Sequence, residues 1–252
     1  MRLVAISDTH GGHRRVNLPA GDVLVHSGDL TLDGERSVTL DFVDWFSDQP
    51  FKHKIFIAGN HDAWAEGNSD ALQQYATDKG VHYLQGSSIV IDDMTFWGSP
   101  YTPRFMDWSF MLSSADKAMR HWQSMPESVD VVITHGPPFG ILDKLLVVNS
   151  DTDANNADQL DGIFSNEKNV GCRELFARVR EVSPKLHLFG HIHEGYGEID
   201  KWGTRFINAS TMNRDYRITN QPYVIDVTKI SNPVTVTTPN DNTFSENEPS
   251  FA

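Results

Sequence analysis

Five clusters of polar residues carry the residue types in this sequence that could do chemistry. They are Asp8-Thr9-His10, Gly28-Asp29, Gly59-Asn60-His61-Asp62, His135-Gly136 and Gly190-His191-Ile192-His193. Each cluster follows a short apolar run with the length and composition of a buried strand. Because ligands in open α/β sheets bind outside the carboxyl ends of the strands, we expect the five clusters to converge on one site.

The side chains in these clusters suit a divalent metal such as Mn, Fe or Zn, because they offer carboxylate, imidazole and amide groups without thiolate. The seven candidate ligands are Asp8, His10, Asp29, Asn60, His135, His191 and His193. One tetrahedral ion takes three or four ligands, whereas two ions that share a bridging carboxylate can use all seven. Asp8 and His10 are two residues apart, so in an extended segment they project to one side and can close on one ion. The same spacing holds for His191 and His193.

One imidazole, that of His61, is left over from this ligand set. Two ions about 3.5–4 Å apart can hold a bridging water, lower its pKa and clamp phosphoryl oxygens during in-line attack. A neighbouring imidazole that is not a ligand can protonate the leaving oxygen. We therefore predict phosphoester hydrolysis by a metal-bridging hydroxide, with His61 as the general acid. Asp62 either orients that imidazole or solvates the turn, and the sequence leaves both alternatives open.

The six histidines outside the clusters are interpreted as structural or surface residues. Two of them, His26 and His187, lie inside predicted strands, where we expect them to satisfy buried or neighbouring polar groups.

With these residues in place, the sequence resembles the calcineurin-like metallophosphoesterase superfamily, whose motif series is D-x-H, G-D, G-N-H-[DE], H and G-H-x-H. All five motifs are present in that order between Asp8 and His193. The resemblance implies a four-layer α-β-β-α sandwich of two mixed β-sheets flanked by helices. It implies that the first metal is held by Asp8, His10 and His193. The second metal would be held by Asn60, His135 and His191, and Asp29 would bridge the two. His61 would be the acid beside the scissile phosphate.

Further stretches are similar to the metallophosphoesterase-domain group, which is also called class III cyclic nucleotide phosphodiesterase-like. These stretches are residues 97–103, 135–138, 170–172, 190–197 and 208–210. The similarity implies hydrolysis of small phosphodiesters, with cyclic nucleotides as the best candidate, and two divalent metal ions. Mn is favoured among the ions, with Fe, Zn, Ni and Mg as alternatives.

Two other functions stay open at this stage. One is a nuclease, nucleotide pyrophosphatase or phosphomonoesterase of the same superfamily, and the other is a metal-binding scaffold without catalysis. The presence of His61 speaks against the scaffold, which needs no acid. The run after Gly28-Asp29 lacks the arginine with which protein serine/threonine phosphatases grip phosphate, so phosphoproteins are disfavoured. Asn60, Tyr101 and Arg104 are the candidate substrate contacts.

The composition is that of a globular protein of 252 residues, with 39% hydrophobic and 22% charged residues. A formal net charge of −13 disfavours long nucleic acid as a partner and leaves a small phosphoester, such as a nucleotide, as the expected one. The single cysteine, Cys172, excludes an intrachain disulfide and Cys-rich zinc modules. No apolar stretch approaches the ~20 residues of a membrane span, so we expect a cytoplasmic protein. The oligomeric state is open, with a homodimer among the alternatives.

Alternation of helical and strand patterns predicts one α/β domain over residues 1–238, followed by a tail at 239–252. Residues 144–169 are polar and without periodicity, and are predicted to form a loop excursion. The predicted helices are 35–48, 69–79, 113–123 and 173–182. The predicted strands are 2–6, 22–27, 54–58, 87–91, 94–98, 129–134, 185–189, 204–208, 222–227 and 233–237. Ser69, and Ser113 or Ser114, are the expected helix N-caps.

Overall fold

Two mixed β-sheets form the centre of the fold in the computed structural model, which describes residues 1–147 and 166–227. The first sheet contains, in spatial order, β15 (Tyr223–Asp226), β1 (Arg2–Ile6), β2 (Val23–Ser27), β3 (His53–Ile57) and β4 (His82–Tyr83). Strands β1 to β4 run parallel, and β15 pairs antiparallel with β1. The parallel strands are nearly continuous runs of buried apolar residues, as expected for strands covered on both faces.

The second sheet contains, in spatial order, β13 (Gly197–Lys201), β14 (Thr204–Asn208), β12 (Leu186–Phe189), β9 (Val131–Thr134), β6 (Met94–Ser99) and β5 (Ser87–Ile91). Its four central strands are parallel, and both edge strands are antiparallel to their neighbours. The turn between β5 and β6 has positive φ angles of 46° and 63° at Asp92 and Asp93. The predicted strands 87–91 and 94–98 therefore form a hairpin, because such angles match the twist of paired strands.

Two short strand pairs lie outside the main sheets. Strand β7 (Thr102–Pro103) pairs with β8 (Met111–Leu112), and β10 (Lys144–Val147) pairs antiparallel with β11 (Asn166–Asn169). The second pair shows that the prediction of a loop at 144–169 was wrong at both ends. Polar residues hide the strand β11, because backbone hydrogen bonds to β10 form it without an apolar pattern. The rest of that stretch, the predicted strand 233–237 and the predicted tail 239–252 lie outside the described residues.

The helices are α1 (Arg36–Ser47), α2 (Ala63–Gly67), α3 (Ser69–Asp78), α4 (Ala115–Trp122) and α5 (Arg173–Val182). The four predicted helices are confirmed, whereas α2 is too short to show a helical period. Ser114 caps α4 by accepting a hydrogen bond from the Lys117 amide. The N-cap predicted at Ser69 was wrong, since Asn68 holds that position and the Ser69 hydroxyl donates to Gln85 instead. Within the described residues, no helix combines the length and the apolar character needed to span a membrane.

Alternating residues along the strands create the layers. Leu3, Val25 and Ile55 of the first sheet meet Ile133 and Leu188 of the second in an aliphatic core between the sheets. The outward faces of the two sheets are covered by side chains of α1 and α3 and of α4 and α5, respectively. Each buried aliphatic or aromatic side chain contributes about 1.5–3 kcal/mol. The result is the four-layer sandwich that the resemblance implied.

Hydrogen bonds join the two sheets at the edge where their parallel strands end. Ser7, just after β1, forms a parallel bridge with Ser210, just after β14. The amide and hydroxyl of Thr211 both donate to the Ser7 carbonyl, at 2.8 and 2.9 Å. The loops that carry the polar clusters leave the sheets at this edge.

Candidate metal centre

The five strand-end clusters meet in three overlapping groups of side chains. The groups are Asp8, His10 and His193; His10, Asp29 and His61; and Asp29, His135 and His191. Within each group, the potential ligand atoms lie within 4.8 Å of one another. Asn60 joins the third group, since its Oδ1 lies 2.8 Å from His135 Nε2. All seven predicted ligands and His61 are therefore brought together.

Asp29 lies between the groups. Its Oδ2 is 3.6 Å from His10 Nε2, and its Oδ1 is 3.2 Å from His135 Nε2. One buried carboxylate thus faces an imidazole from each side, which is the placement that a bridging ligand requires.

The backbone that presents these side chains is left-handed rather than extended. Asp8, His10, Asp29 and His191 have φ angles of 53°, 40°, 57° and 68°. The expectation that the pairs two residues apart project from extended segments was therefore wrong. His193 instead joins Asp8 and His10, while His191 turns toward Asp29 and His135. Non-glycine residues in this conformation cost about 1–3 kcal/mol each and persist where the surrounding structure fixes them.

Two glycines leave room for the carboxylates. A Cβ on Gly59 would lie 2.3 Å from Asp29 Oδ1, and a Cβ on Gly190 would lie 2.0 Å from Asp8 Oδ2. These glycines are therefore needed because carboxylate oxygens occupy the space beside them.

Four imidazoles are oriented in the same way, each with Nδ1 on a main-chain carbonyl. The pairs are His10 with Thr31 at 3.1 Å, His61 with Leu32 at 2.6 Å, His135 with Ser27 at 3.0 Å and His193 with Asn213 at 3.0 Å. A carbonyl oxygen can only accept, so Nδ1 carries a proton in each ring, and Nε2 presents a lone pair whenever the ring is neutral. Metal-ligating histidines are usually held in this way.

The Nε2 atoms point at one another or at carboxylates, which shows that these residues fit a cation. Those of His10 and His193 are 3.3 Å apart, so when both rings are neutral two lone pairs face each other across the gap. His135 Nε2 faces Asp29. Burial alone would lower the pKa of His135, but the charge of Asp29 raises it to about 9. The centre thus attracts positive charge, which a divalent metal supplies in the ordinary ligand chemistry of these side chains.

The ionisation states suit metal binding. Burial alone would raise the pKa of Asp8, but the hydrogen bond and charge of His193 outweigh it and lower that pKa. The pKa of Asp29 lies well below its ordinary range, because His135 and His10 outweigh the effect of burial. Burial lowers the pKa of His191 to about 4. At neutral pH both carboxylates are charged and His191 is neutral, as ligation requires.

A family model described as calcineurin-like phosphoesterase matches residues 1–195. The chain belongs to this family. Metallophosphoesterase domain-containing protein 1 of Homo sapiens is 35% identical over 248 residues, covering 90% of this chain and 71% of the relative. UPF0046 protein K07C11.7 of Caenorhabditis elegans is 33% identical over 241 residues, covering 91% of this chain and 76% of the relative. The protein is thus a phosphoester hydrolase of a metal-dependent family, which confirms the resemblance.

A solved structure shows the likeness in fold. The protein TT1561 of Thermus thermophilus superimposes with a TM-score of 0.52 and 11% sequence identity, covering 89% of this chain and 98% of that one. At this identity the comparison supports the calcineurin-like architecture.

Asp62 has a role in this phosphoesterase that neither alternative anticipated. Its buried carboxylate accepts hydrogen bonds from the amides of Gly59, Leu30 and Thr31, at 2.8, 3.1 and 2.9 Å, and from the Thr31 hydroxyl at 2.9 Å. It therefore ties the loop after β2 to the loop after β3. The His61 imidazole is oriented by the Leu32 carbonyl instead.

A cavity of about 640 Å³ opens beside the centre and is lined by Asp29, Asn60, His61, His191 and His193, among others. Of the residues predicted to contact substrate, Asn60 and Arg104 line it, and the Arg104 guanidinium forms a salt bridge with Asp107. Tyr101 does not line the cavity. Its ring packs against Phe110 and His121, with centroids 5.5 and 4.6 Å away, so this placement does not favour the predicted contact.

Tyr216 lines the cavity and was missed by the sequence analysis. Its ring lies 5.0 Å from the rings of both His10 and His193, so it covers one side of the first group. It belongs to a turn organised by Asn213, whose carbonyl also holds His193. The turn follows the last motif, and only an isolated aromatic residue in a polar stretch marks it in the sequence.

Proposed function

We propose that this phosphoesterase hydrolyses small phosphodiesters with two divalent metal ions, Mn being the favoured ion, and that cyclic nucleotides are among its substrates. The observation that carries the proposal is the position of Asp29, with one carboxylate oxygen toward His10 and the other toward His135. A single metal ion would leave either His10 and His193 or His135 and His191 without a metal partner.

The residues that would hold the ions are those predicted. Asp8, His10 and His193 would hold one ion, and Asn60, His135 and His191 would hold the other; the proximity of the side chains within each set supports this. When bound, the ions supply a nucleophile at neutral pH and stabilise charge on the phosphoryl oxygens. Two divalent ions carry four positive charges, of which Asp8 and Asp29 neutralise two, so the site stays attractive to a phosphate.

His61 is the proposed general acid. Its Nδ1 is held by the Leu32 carbonyl, and its backbone amide donates to Asp29 Oδ1 at 2.9 Å. The ring lines the cavity beside His10, with centroids 4.8 Å apart. Because Nδ1 already carries a proton, the doubly protonated ring carries a second one on Nε2, and this proton is the one that would pass to a leaving oxygen. Because His61 is also close enough to His10 and Asp29 to ligate, the acid must be distinguished from a ligand by experiment.

The size of the cavity supports a substrate with an organic part. Clefts of about 300–1,000 Å³ hold ligands of drug or nucleotide size, and a phosphate group alone would fill a small part of 640 Å³. The acidic chain, with its net charge of −13, does not attract long nucleic acid.

The test is hydrolysis of bis(p-nitrophenyl) phosphate with Mn, before and after chelation, by the wild type and by His61→Ala. We expect chelation to abolish activity with this substrate. With 3′,5′-cyclic AMP, whose alkoxide leaving group needs a proton more than p-nitrophenolate does, we expect His61→Ala to lower kcat about 10²- to 10⁴-fold. Equilibrium dialysis should still give two bound metal ions in the variant. His82→Ala, a half-buried histidine on β4 outside the cavity lining, is the matched control.

Three other outcomes would contradict the role of His61, the substrate class or the catalytic activity. A loss of one bound ion in His61→Ala would make His61 a ligand. A panel of phosphomonoesters, linear diesters, 2′,3′- and 3′,5′-cyclic nucleotides and single-stranded DNA ranks the substrates, and faster hydrolysis of DNA or monoesters than of cyclic nucleotides would overturn the substrate class. If metal-loaded protein hydrolysed no phosphoester, the scaffold alternative would hold.

A further inference from the structure

The segment from Arg104 to Phe110, between β7 and β8, exposes three large apolar side chains and is called the aromatic loop below. Phe105, Met106 and Trp108 are 55%, 63% and 40% exposed. Large apolar side chains gathered in the open mark a binding surface more often than isolated ones do. The aromatic loop therefore presents apolar surface that the fold itself does not use.

Two rings of this loop lie on the wall of the cavity. The Trp108 ring centroid is 4.6 Å from that of His61, and the Phe105 ring is 6.1 Å from the Trp108 ring at a right angle. Both residues line the cavity that the metal centre opens into. A flat indole face next to the proposed acid is thus available to whatever is attached to the reacting phosphorus.

The loop is fixed to the site before any ligand arrives. The Ser109 amide donates to the Asn60 carbonyl at 3.2 Å, and the Phe110 amide donates to Glu66 Oε1 at 2.8 Å. Phe110 is fully buried with a φ of 56°, and the Arg104 amide bonds the Leu112 carbonyl at 3.0 Å. Because Asn60 precedes His61, one backbone contact sets the distance between Trp108 and the acid. Such preorganisation lowers the entropy cost of binding.

We propose that Trp108, with Phe105 beside it, forms a subsite for a planar aromatic ring joined to the phosphoester next to the bond that is cleaved. The inference rests on the proposed function, because it takes the leaving oxygen to lie near His61. A nucleobase or an aryl group has the required shape, and stacking of a base on an aromatic side chain contributes about 1–3 kcal/mol, or roughly 5- to 150-fold in affinity. Trp108 is then the residue that selects aromatic over aliphatic phosphoesters.

A purely positioning role makes a different prediction. If Trp108 only held the His61 ring in place, its loss would slow every substrate equally. If it stacks on the substrate, its loss weakens compounds that carry a ring and spares those that lack one.

The experiment compares wild type, Trp108→Leu and Trp202→Leu in the Mn-loaded protein. Trp202 is 51% exposed and lies outside the cavity lining, so it controls for removal of an exposed indole. The substrates are 3′,5′-cyclic AMP and the 3′,5′-cyclic phosphate of methyl riboside, which share the cleaved bond and differ in the base. We expect Trp108→Leu to lower kcat/KM about tenfold for cyclic AMP and less than about twofold for the riboside. Equal loss for both, or no loss for either, overturns the subsite.

Binding measured by calorimetry separates this inference from the proposed function. Wild type should bind 5′-AMP about tenfold more tightly than ribose 5-phosphate, and Trp108→Leu should bind the two alike. Phenyl phosphate against ethyl phosphate repeats the comparison for an aryl group, and the pair with the larger ratio identifies which ring the subsite prefers. If diesters are not hydrolysed, the proposed function fails while these ratios still decide the subsite. If diesters are hydrolysed but the ratios are close to one, only the subsite fails.

Discussion

Histidines inside the strands and histidines at the strand ends have different neighbours in this fold. His187, inside β12, contacts the Thr134 hydroxyl at 2.8 Å, and His26, inside β2, contacts the Thr9 hydroxyl at 3.0 Å. His135 and His191, just past the ends of β9 and β12, approach Asp29 instead. Burial lowers the pKa of His187 to about 3, whereas Asp29 raises that of His135 to about 9.

The difference lies in what surrounds the rings. An interior strand position offers hydroxyls and apolar neighbours, so the ring stays neutral and completes a hydrogen bond. A strand end offers left-handed turns that bring carboxylates from other loops within reach. Ligand chemistry therefore follows from the position of a histidine along its strand.

Removal of Asp29 should have the largest effect on the strand-end histidines. In Asp29→Ala the strand-end imidazoles would lose their shared carboxylate, and we expect kcat to fall on the order of 10³-fold, since bound metal supplies several kcal/mol of charge stabilisation. Equilibrium dialysis should show that binding of both ions is weakened. The control is Asp116→Ala, an exposed aspartate in the first turn of α4. Retention of one ion at wild-type affinity would show that Asp29 serves a single site.

A glycine substitution tests whether metal binding needs the space beside the strand-end carboxylates. Gly190→Ala would place a methyl group 2.0 Å from Asp8 Oδ2, so we expect metal affinity and kcat/KM to fall about 10- to 100-fold, as for residues that orient metal ligands. Gly67→Ala is the matched control, because an added Cβ there meets nothing within 4 Å. Metal titration with a fluorescent competitor measures the effect. Wild-type affinity in Gly190→Ala would mean that Asp8 moves without consequence.

The interior histidines should change how the free energy of unfolding depends on pH. The pKa of His187 is about 3 in the folded state and about 6.5 when unfolded, so its contribution is complete above about pH 6.5 and is lost as the pH falls toward 3. Between pH 7.5 and 5.0 this amounts to about 2 kcal/mol, at roughly 1.4 kcal/mol per pH unit below 6.5. Urea unfolding in the presence of chelator measures the effect. Over this pH range the free energy of unfolding should fall by about 2 kcal/mol less in His187→Gln than in the wild type. An identical pH dependence in both proteins would contradict the assignment.

The sequence predicted the strand ends, and with them the assembly of the site. Apolar runs followed by glycine and ligand-type residues located the clusters, because a buried strand and a polar loop differ strongly in composition. The fold itself came from the motif series, since the separate strand and helix patterns specify no strand order. Helix α5 was predicted at its observed bounds, because Pro184 follows its end and Cys172, its N-cap, precedes its first residue.

The contacts that tune the site could not be read from spacing. Tyr216 reaches His10 across a large sequence separation, and the left-handed φ angles of Asp8 and His191 arise from loops that fold around one another. Tyr101 was a candidate because it lies between Pro100 and Pro103 in an aromatic stretch, yet tertiary packing places its ring against His121. Such features depend on long-range packing, which local residue patterns do not encode.

The carboxylate of Asp62 has a kinetic consequence for the protein without metal. The amide hydrogens of Gly59, Leu30 and Thr31 share this single buried acceptor. A movement of the Asp62 carboxylate releases all three amides at once. The three amides should therefore exchange with deuterium at one common rate, as a single opening unit formed from two loops that are distant in sequence.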